Sequence, residues 1–177
     1  MNIERALATD GWMEEAELEY LASVASKSRV IAELGSWKGR SAVAMAQNTR
    51  GAVFCIDRWG GNALTGGEYG AAGAIFAEFQ TNTQGIPNIV PVTLDTVSAA
   101  RLLGSVGLRF DMVFIDACHE YEAVKRDIET WRELLTPQGI LCGHDFFGNY
   151  PGVSQAVREL LTPFRLINNI WTTEGAL

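Results

Sequence analysis

Apolar residues fall along this chain in two alternating rhythms. Residues 30–34 form a short apolar run, 35–40 a glycine-containing turn, 41–47 a helical pattern, and 52–56 a second apolar run ending in Asp57. Strand, turn, helix and strand make a βαβ unit with parallel strands and a right-handed crossover. Runs at 89–94 and 110–116, the second ending in Asp116, predict a third and fourth strand, and 139–143 a fifth that runs into His144 and Asp145. The fourth is apolar after its first residues, as a strand buried on both faces must be. Helical spacing appears at 74–83 (Ile75, Phe76, Phe79), 96–103, 120–135 and 155–161. In 120–135 the stripe is Tyr121, Val124, Ile128, Trp131 and Leu135, with Glu122 and Arg126 one turn apart and Pro137 and Gly139 stopping it. A further helix over 10–26 takes Asp10 as its cap, places Glu14, Glu15 and Glu17 early, and presents Leu18, Leu21, Ala22 and Ala25 on one face. The mixed segment 164–173 supplies a closing strand pair, one strand of it antiparallel. Together these elements predict one doubly wound α/β domain over 1–177, with a mostly parallel, seven-stranded sheet.

Composition narrows the partners. A chain of 177 residues can build a core without staples. Its net charge of −7 argues against a nucleic-acid or anionic-membrane surface, because polyanions need a cationic face. A small or neutral acceptor fits better, and a homo-oligomer is left open. Cys55, Cys118 and Cys142 form no CxxC pair, and two of them sit inside apolar runs, so buried free thiols are expected rather than a zinc site or a disulfide frame. No apolar run reaches the length of a membrane span, and the first residues lack the apolar core of a leader, which together predict a cytoplasmic protein. Residues 58–73 hold six glycines with Trp59 and Tyr69 interleaved, either a mobile loop over a ligand or a plain connection.

The first turn carries the candidate chemistry. A phosphate loop needs G-x-x-x-x-G-K followed by Ser or Thr; residues 35–41 read G-S-W-K-G-R-S, one residue short, with Arg40 in place of the lysine. A dinucleotide fingerprint needs G-x-G-x-x-G, but Trp37 holds the second glycine position and Glu33 adds negative charge that repels a diphosphate. An acid before the turn, a glycine in it and an acid ending the next strand suit a cationic amino acid joined to a nucleoside, which describes S-adenosylmethionine.

The run Glu33-Leu34-Gly35-Ser36-Trp37-Lys38-Gly39-Arg40-Ser41, followed by Asp57, resembles the class I S-adenosylmethionine-dependent methyltransferases, in particular a small branch with an E-x-G-x-x-x-G-R-S turn. The resemblance implies a Rossmann-like methyltransferase fold and a cofactor site around Glu33, Gly35, Ser36, Trp37, Gly39 and Ser41. It assigns Gly35 to the methionine part and Asp57, with Arg58 beside it, to the ribose hydroxyls. Asp95 and Thr96 follow the third strand, and the resemblance makes Asp95 a candidate for the adenine. Asp95 could equally cap the helix over 96–103.

The chain's two histidines, His119 and His144, each follow a predicted strand end beside an aspartate, Asp116 and Asp145. Strands four and five are neighbours in this topology, so all four side chains should converge beside the cofactor's methyl group. Two carboxylates offer hard ligands for Mg²⁺ or a similar ion, which would lower the pKa of an acceptor hydroxyl. His119, with an ordinary pKa near neutrality, could take its proton. The stretches 114–121 and 139–146, with D-x-x-H and G-H-D elements, look like the second half of the same branch; the likeness spans about 11–145. Relatives that methylate sugar hydroxyls bind a divalent metal through the strand-four aspartate and an acidic pair after strand five. Carried over, this implies Asp116 and Asp145 as ligands, Asp116 also at the cofactor, and His119 as base. His144 stands where those relatives have the first acid, leaving a nitrogen ligand or none. Structural roles remain the alternative: Asp116 bonded to nearby backbone, and either histidine satisfied within the fold. Cys118 and His119, adjacent in sequence, do not make a protease dyad. The resulting expectation is methyl transfer to an oxygen of a small molecule or sugar. A non-catalytic binder of the cofactor and a nicotinamide-dependent dehydrogenase are the alternatives.

Overall fold

A computed structural model describes residues 1–60 and 73–175. Strands β1 (Val30–Leu34), β2 (Ala52–Asp57), β3 (Ile89–Thr93), β4 (Phe110–Ile115) and β5 (Leu135–Gly143) run parallel. The closing pair is β6 (Arg165–Ile167) and β7 (Ile170–Thr172), with β7 antiparallel to both β5 and β6. The sheet order is β3-β2-β1-β4-β5-β7-β6, the doubly wound, mostly parallel, seven-stranded sheet that the apolar pattern predicts. Residues 31–34 and 112–115 are buried because both faces of the central strands are covered. On one face lie α1 (Glu4–Ala8), α2 (Glu15–Ala25), α3 (Arg40–Ala46) and α4 (Ala74–Thr83), whose Leu18, Leu21, Met45 and Phe79 pack with Ile31 and Met112. On the other, α5 (Thr96–Ser105), α6 (Tyr121–Arg132) and α7 (Pro151–Leu160) bring Leu103, Ile128, Trp131 and Val157 against Ala32, Leu34 and Val113.

Register positions the site. Leu34 pairs with Ile56 on one side and Ile115 on the other, and Ile115 pairs with Gly143. Four strands therefore end in one row, and Gly35, Asp57, Asp116 and His144 emerge from one rim. The strand order reverses between β1 and β4, the point of such sheets where ligands bind.

Several boundaries differ from the sequence pattern. The helix expected over 10–26 begins at Glu15, and a separate short helix, α1, precedes it. Asp10 is not its cap: it ion-pairs with Lys38 at 2.8 Å, and Glu14 caps α2 in a reciprocal box with Glu17. Leu135 belongs to β5, not to the helix before it, because it pairs with Phe110; a register shift follows, and Pro137 and Gly139 fall at that irregularity. The last helix starts at Pro151 in the first turn, four residues earlier than its apolar spacing shows. Cys55 and Cys142 are buried free thiols and Cys118 is half-buried. Most of the glycine-rich stretch, 61–72, lies outside the described residues, and so does the expectation of a loop over the ligand. Among the described residues no helix is long and apolar enough to cross a membrane.

Candidate active site

The turn after β1 is shaped by the chain's approach to itself. Gly35 has φ +87°, and a Cβ there would stand 2.0 Å from the Asp116 carbonyl oxygen. Its N–H donates to Ile56 O at 2.8 Å while Asp116 N–H donates to Leu34 O at 2.8 Å, so the turn is stitched to β2 and β4 together. Gly39, at φ +90°, opens α3 with the Phe79 ring against its Cα. Trp37 is held in the left-handed region at φ +43°. Its N–H donates to Asp57 Oδ2 at 2.8 Å, its carbonyl accepts from Trp59 Nε1 at 3.0 Å, and its ring stacks on Trp12 at 4.4 Å.

Asp57 also accepts from Trp59 N–H at 2.7 Å, which fixes the carboxylate at the end of β2; Arg58 is exposed just beyond it. Glu33 lies beneath the turn rather than open to the rim. It is completely buried, its Oε1 accepts from Ser41 Oγ at 2.5 Å, and its Oε2 has no partner. Burial, with the Asp116 charge adding, pushes the Glu33 carboxyl up to about 7 against the hydrogen bond from Ser41. The Ser36 hydroxyl is buried beside it. Asp95 is exposed and caps α5 by accepting from Ser98 N–H at 2.9 Å, the second role its position allows. The Thr96 hydroxyl turns to α6 and donates to Asp127 Oδ1 at 2.6 Å.

Across the reversal point the remaining residues converge as expected. His119 Nε2 lies 2.9 Å from Asp145 Oδ2 and 3.7 Å from Asp116 Oδ1, and its ring packs on Tyr150 at 4.1 Å. Asp145 Oδ1 faces His144 Nδ1 at 3.2 Å, and His144 Nε2 faces Glu17 Oε1 at 3.3 Å. Asp145 adopts φ +60°, a conformation costing on the order of 1 kcal/mol that its contacts on both sides hold in place. Burial works against charge at His119, but the contacts with Asp116 and Asp145 outweigh it and raise the imidazole to about 9. At His144 the same balance, with Asp145 and Glu17, gives about 10. Despite burial, both histidines hold the Asp145 carboxyl well below the usual range. An imidazole at ordinary pKa, the sequence expectation for His119, is therefore replaced by one charged at neutral pH whenever the carboxylates stand alone.

The linkage has a definite sign. Histidines raised from 6.5 to about 9 and about 10 contribute stability that is full below pH 6.5 and lost as pH rises through those values. Asp145, depressed from 3.8, contributes stability present above that value and lost as pH falls below it. In the presence of a chelator, the melting temperature is expected to fall between pH 6.5 and 10 by more than about 3 °C, the equivalent of 1 kcal/mol in a chain of this size. Calorimetry of His144→Asn should show a shallower alkaline decline; an identical one would contradict the assignment.

Two elements were not visible as site components in the sequence. Glu17 on α2 is 2% exposed. Arg40 clamps the N-terminal segment over the turn, donating to Leu7 O, Thr9 O and Met13 O at 3.1, 2.6 and 2.8 Å. The spacing Glu14-x-x-Glu17 marks a capping box, but nothing local shows that its glutamate is buried against a histidine.

Asp116, His144 and Asp145 each present a ligand atom within 4.8 Å of the others. Two carboxylates and an imidazole whose second nitrogen faces a carboxylate are a donor set that fits a divalent cation.

A doubly wound sheet with this strand order, a glycine turn at its reversal point and acids at the ends of β2 and β4 is the Rossmann-like methyltransferase fold. Residues 32–146, more than half of the chain, match the family described as a methyltransferase domain, and the chain belongs to that family. No curated protein matches the sequence. Among solved structures, the calicheamicin methyltransferase CalS11 superposes with a TM-score of 0.68 at 19% identity, covering 88% of this chain and 76% of that one. An O-methyltransferase from Bacillus cereus in complex with SAH gives 0.68 at 16% identity, covering 95% and 86%. TomG from Streptomyces achromogenes, an O-methyltransferase of tomaymycin synthesis in complex with SAM, gives 0.67 at 15%, covering 91% and 79%. At these identities the likeness is one of fold.

Proposed function

We propose that this chain transfers the methyl group of S-adenosylmethionine to a hydroxyl oxygen of a small molecule or sugar. The observation that carries the reading is His119 set between Asp116 and Asp145 on the rim that also holds the glycine turn and Asp57. In this reading the turn from Gly35 to Gly39 receives the methionine part, and Asp57, already oriented by the Trp37 and Trp59 amides, accepts from the ribose hydroxyls. The acceptor oxygen attacks the methyl carbon, the S–CH₃ bond breaks with its electron pair left on sulfur, and the hydroxyl proton passes to Nε2 of neutral His119, a form that a cation drawing charge from Asp116 and Asp145 would favour. Asp116, Asp145 and His144 would hold a divalent cation, which supplies Lewis-acid polarisation of the acceptor hydroxyl when bound. Two of these structural neighbours, the Bacillus cereus enzyme and TomG, are O-methyltransferases, and this supports the choice of oxygen.

The test is label transfer from S-adenosylmethionine to a panel of hydroxylated sugars and small molecules, before and after dialysis against a chelator. Labelled O-methyl product is expected, with activity reduced at least about tenfold by the chelator and restored by Mg²⁺. Unchanged activity after dialysis would remove the cation from the account. Label on nitrogen or carbon alone would contradict the oxygen acceptor.

A further inference from the structure

Glu17 stands apart from everything that the strand ends supply. It lies in the first turn of α2, yet its carboxylate is enclosed and meets, besides its own helix start, two segments that are distant in sequence. Oε2 accepts from Glu14 N–H at 2.9 Å, which completes the capping box. Oε1 accepts from Asn169 N–H at 3.0 Å, in the turn between β6 and β7, and faces His144 Nε2 at 3.3 Å. A capping glutamate works at an exposed helix end, and burying its charge is costly without partners, so capping alone does not account for its burial. Enclosure adds a fixed anion against one nitrogen of His144, leaving the other, Nδ1, turned to the cluster at 3.2 Å from Asp145. Asn169 reinforces this arrangement: its Nδ2 approaches Asp145 Oδ1 at 3.5 Å, and its own Oδ1 accepts from Phe147 N–H at 2.6 Å, which ties down the segment after β5.

We propose that Glu17 is a positioning residue that locks the His144 ring, fixing from α2 which nitrogen the strand-end cluster presents to a bound cation. Its reach to the cation rests on the proposed cation site; the locking of the ring does not. A histidine oriented by a carboxylate on its far nitrogen is a stiffer donor than a free one, and loss of such a partner typically weakens metal binding about 10- to 100-fold.

The test uses the full chain with ¹³C-labelled histidine, where only two histidines contribute ring signals and His119→Ala assigns them. Wild type should give one sharp set for His144. Glu17→Ala should broaden or double it and raise the Mn²⁺ dissociation constant, read by calorimetry, about 10- to 100-fold. Glu14→Ala removes the cap without touching His144, so it should lower the melting temperature while leaving the His144 signals and Mn²⁺ affinity as in wild type. Should Glu17→Ala not fold, Glu17→Gln keeps the side chain's shape and should weaken Mn²⁺ by about tenfold. An unaltered His144 spectrum in the Glu17 variant, or the same changes in Glu14→Ala, would overturn the proposal. Absence of Mn²⁺ binding by wild type, with the ring signals behaving as stated, would instead remove the cation and leave the positioning role intact.

Discussion

Replacing His119 with alanine is expected to lower kcat for methyl transfer by about 10²- to 10⁴-fold, the range that a positioned proton acceptor contributes. The affinity for S-adenosylhomocysteine should stay within about twofold, because His119 faces Asp116, Asp145 and Tyr150 rather than the glycine turn. Contacts on both sides fix the ring, and Nε2 is the atom that both aspartates address. The variant leaves two carboxylates facing each other without the imidazolium that separates them. Its melting temperature should therefore fall most between pH 4 and 6.5, where the paired charges contribute fully. Equal product from wild type and variant in a label-transfer assay would end the assignment of His119 as base.

The second large effect belongs to Asp57. Its two oxygens are oriented by the Trp37 and Trp59 amides, so the carboxylate is in place before any ligand arrives. Two hydrogen bonds from ribose hydroxyls to a charged acceptor contribute about 1.5 to 3 kcal/mol each, so Asp57→Ala should weaken the cofactor product by about 10²-fold or more. The variant also releases the two tryptophan amides. Its circular dichroism and melting curve should accompany the affinity measurement, so that loss of the turn is distinguished from loss of the ribose contact.

Most of this arrangement is legible in the residues themselves. Apolar runs that each end in a glycine or an acid mark both a strand and its ligand edge, and that is why Gly35, Asp57, Asp116 and His144 could be placed on one rim. The register supplies what the pattern lacks, by ending four strands in one row. Glu33 shows the limit of such reasoning. At the carboxyl edge of β1 an acid reads as a ligand contact, but the turn folds over it and Ser41 takes one of its oxygens. Gly35 has a further reason that the turn motif alone does not carry: its absent side chain makes room for the Asp116 carbonyl. Glu17 and Arg40 escape altogether. Each acts on a segment remote in sequence, Glu17 on His144 and Asn169, Arg40 on the carbonyls of Leu7, Thr9 and Met13, and helical periodicity holds no record of those partners.

We propose that the ends of β1, β2, β4 and β5 build one rim around a methyl donor. Calorimetric titration of S-adenosylhomocysteine into wild type and Asp57→Ala, with NAD as the control ligand, tests it most directly. The account requires one site per wild-type chain, binding weakened by about 10²-fold in a folded Asp57→Ala variant, and no heat from NAD. Binding of NAD without S-adenosylhomocysteine, or equal affinity for S-adenosylhomocysteine in wild type and variant, would contradict it.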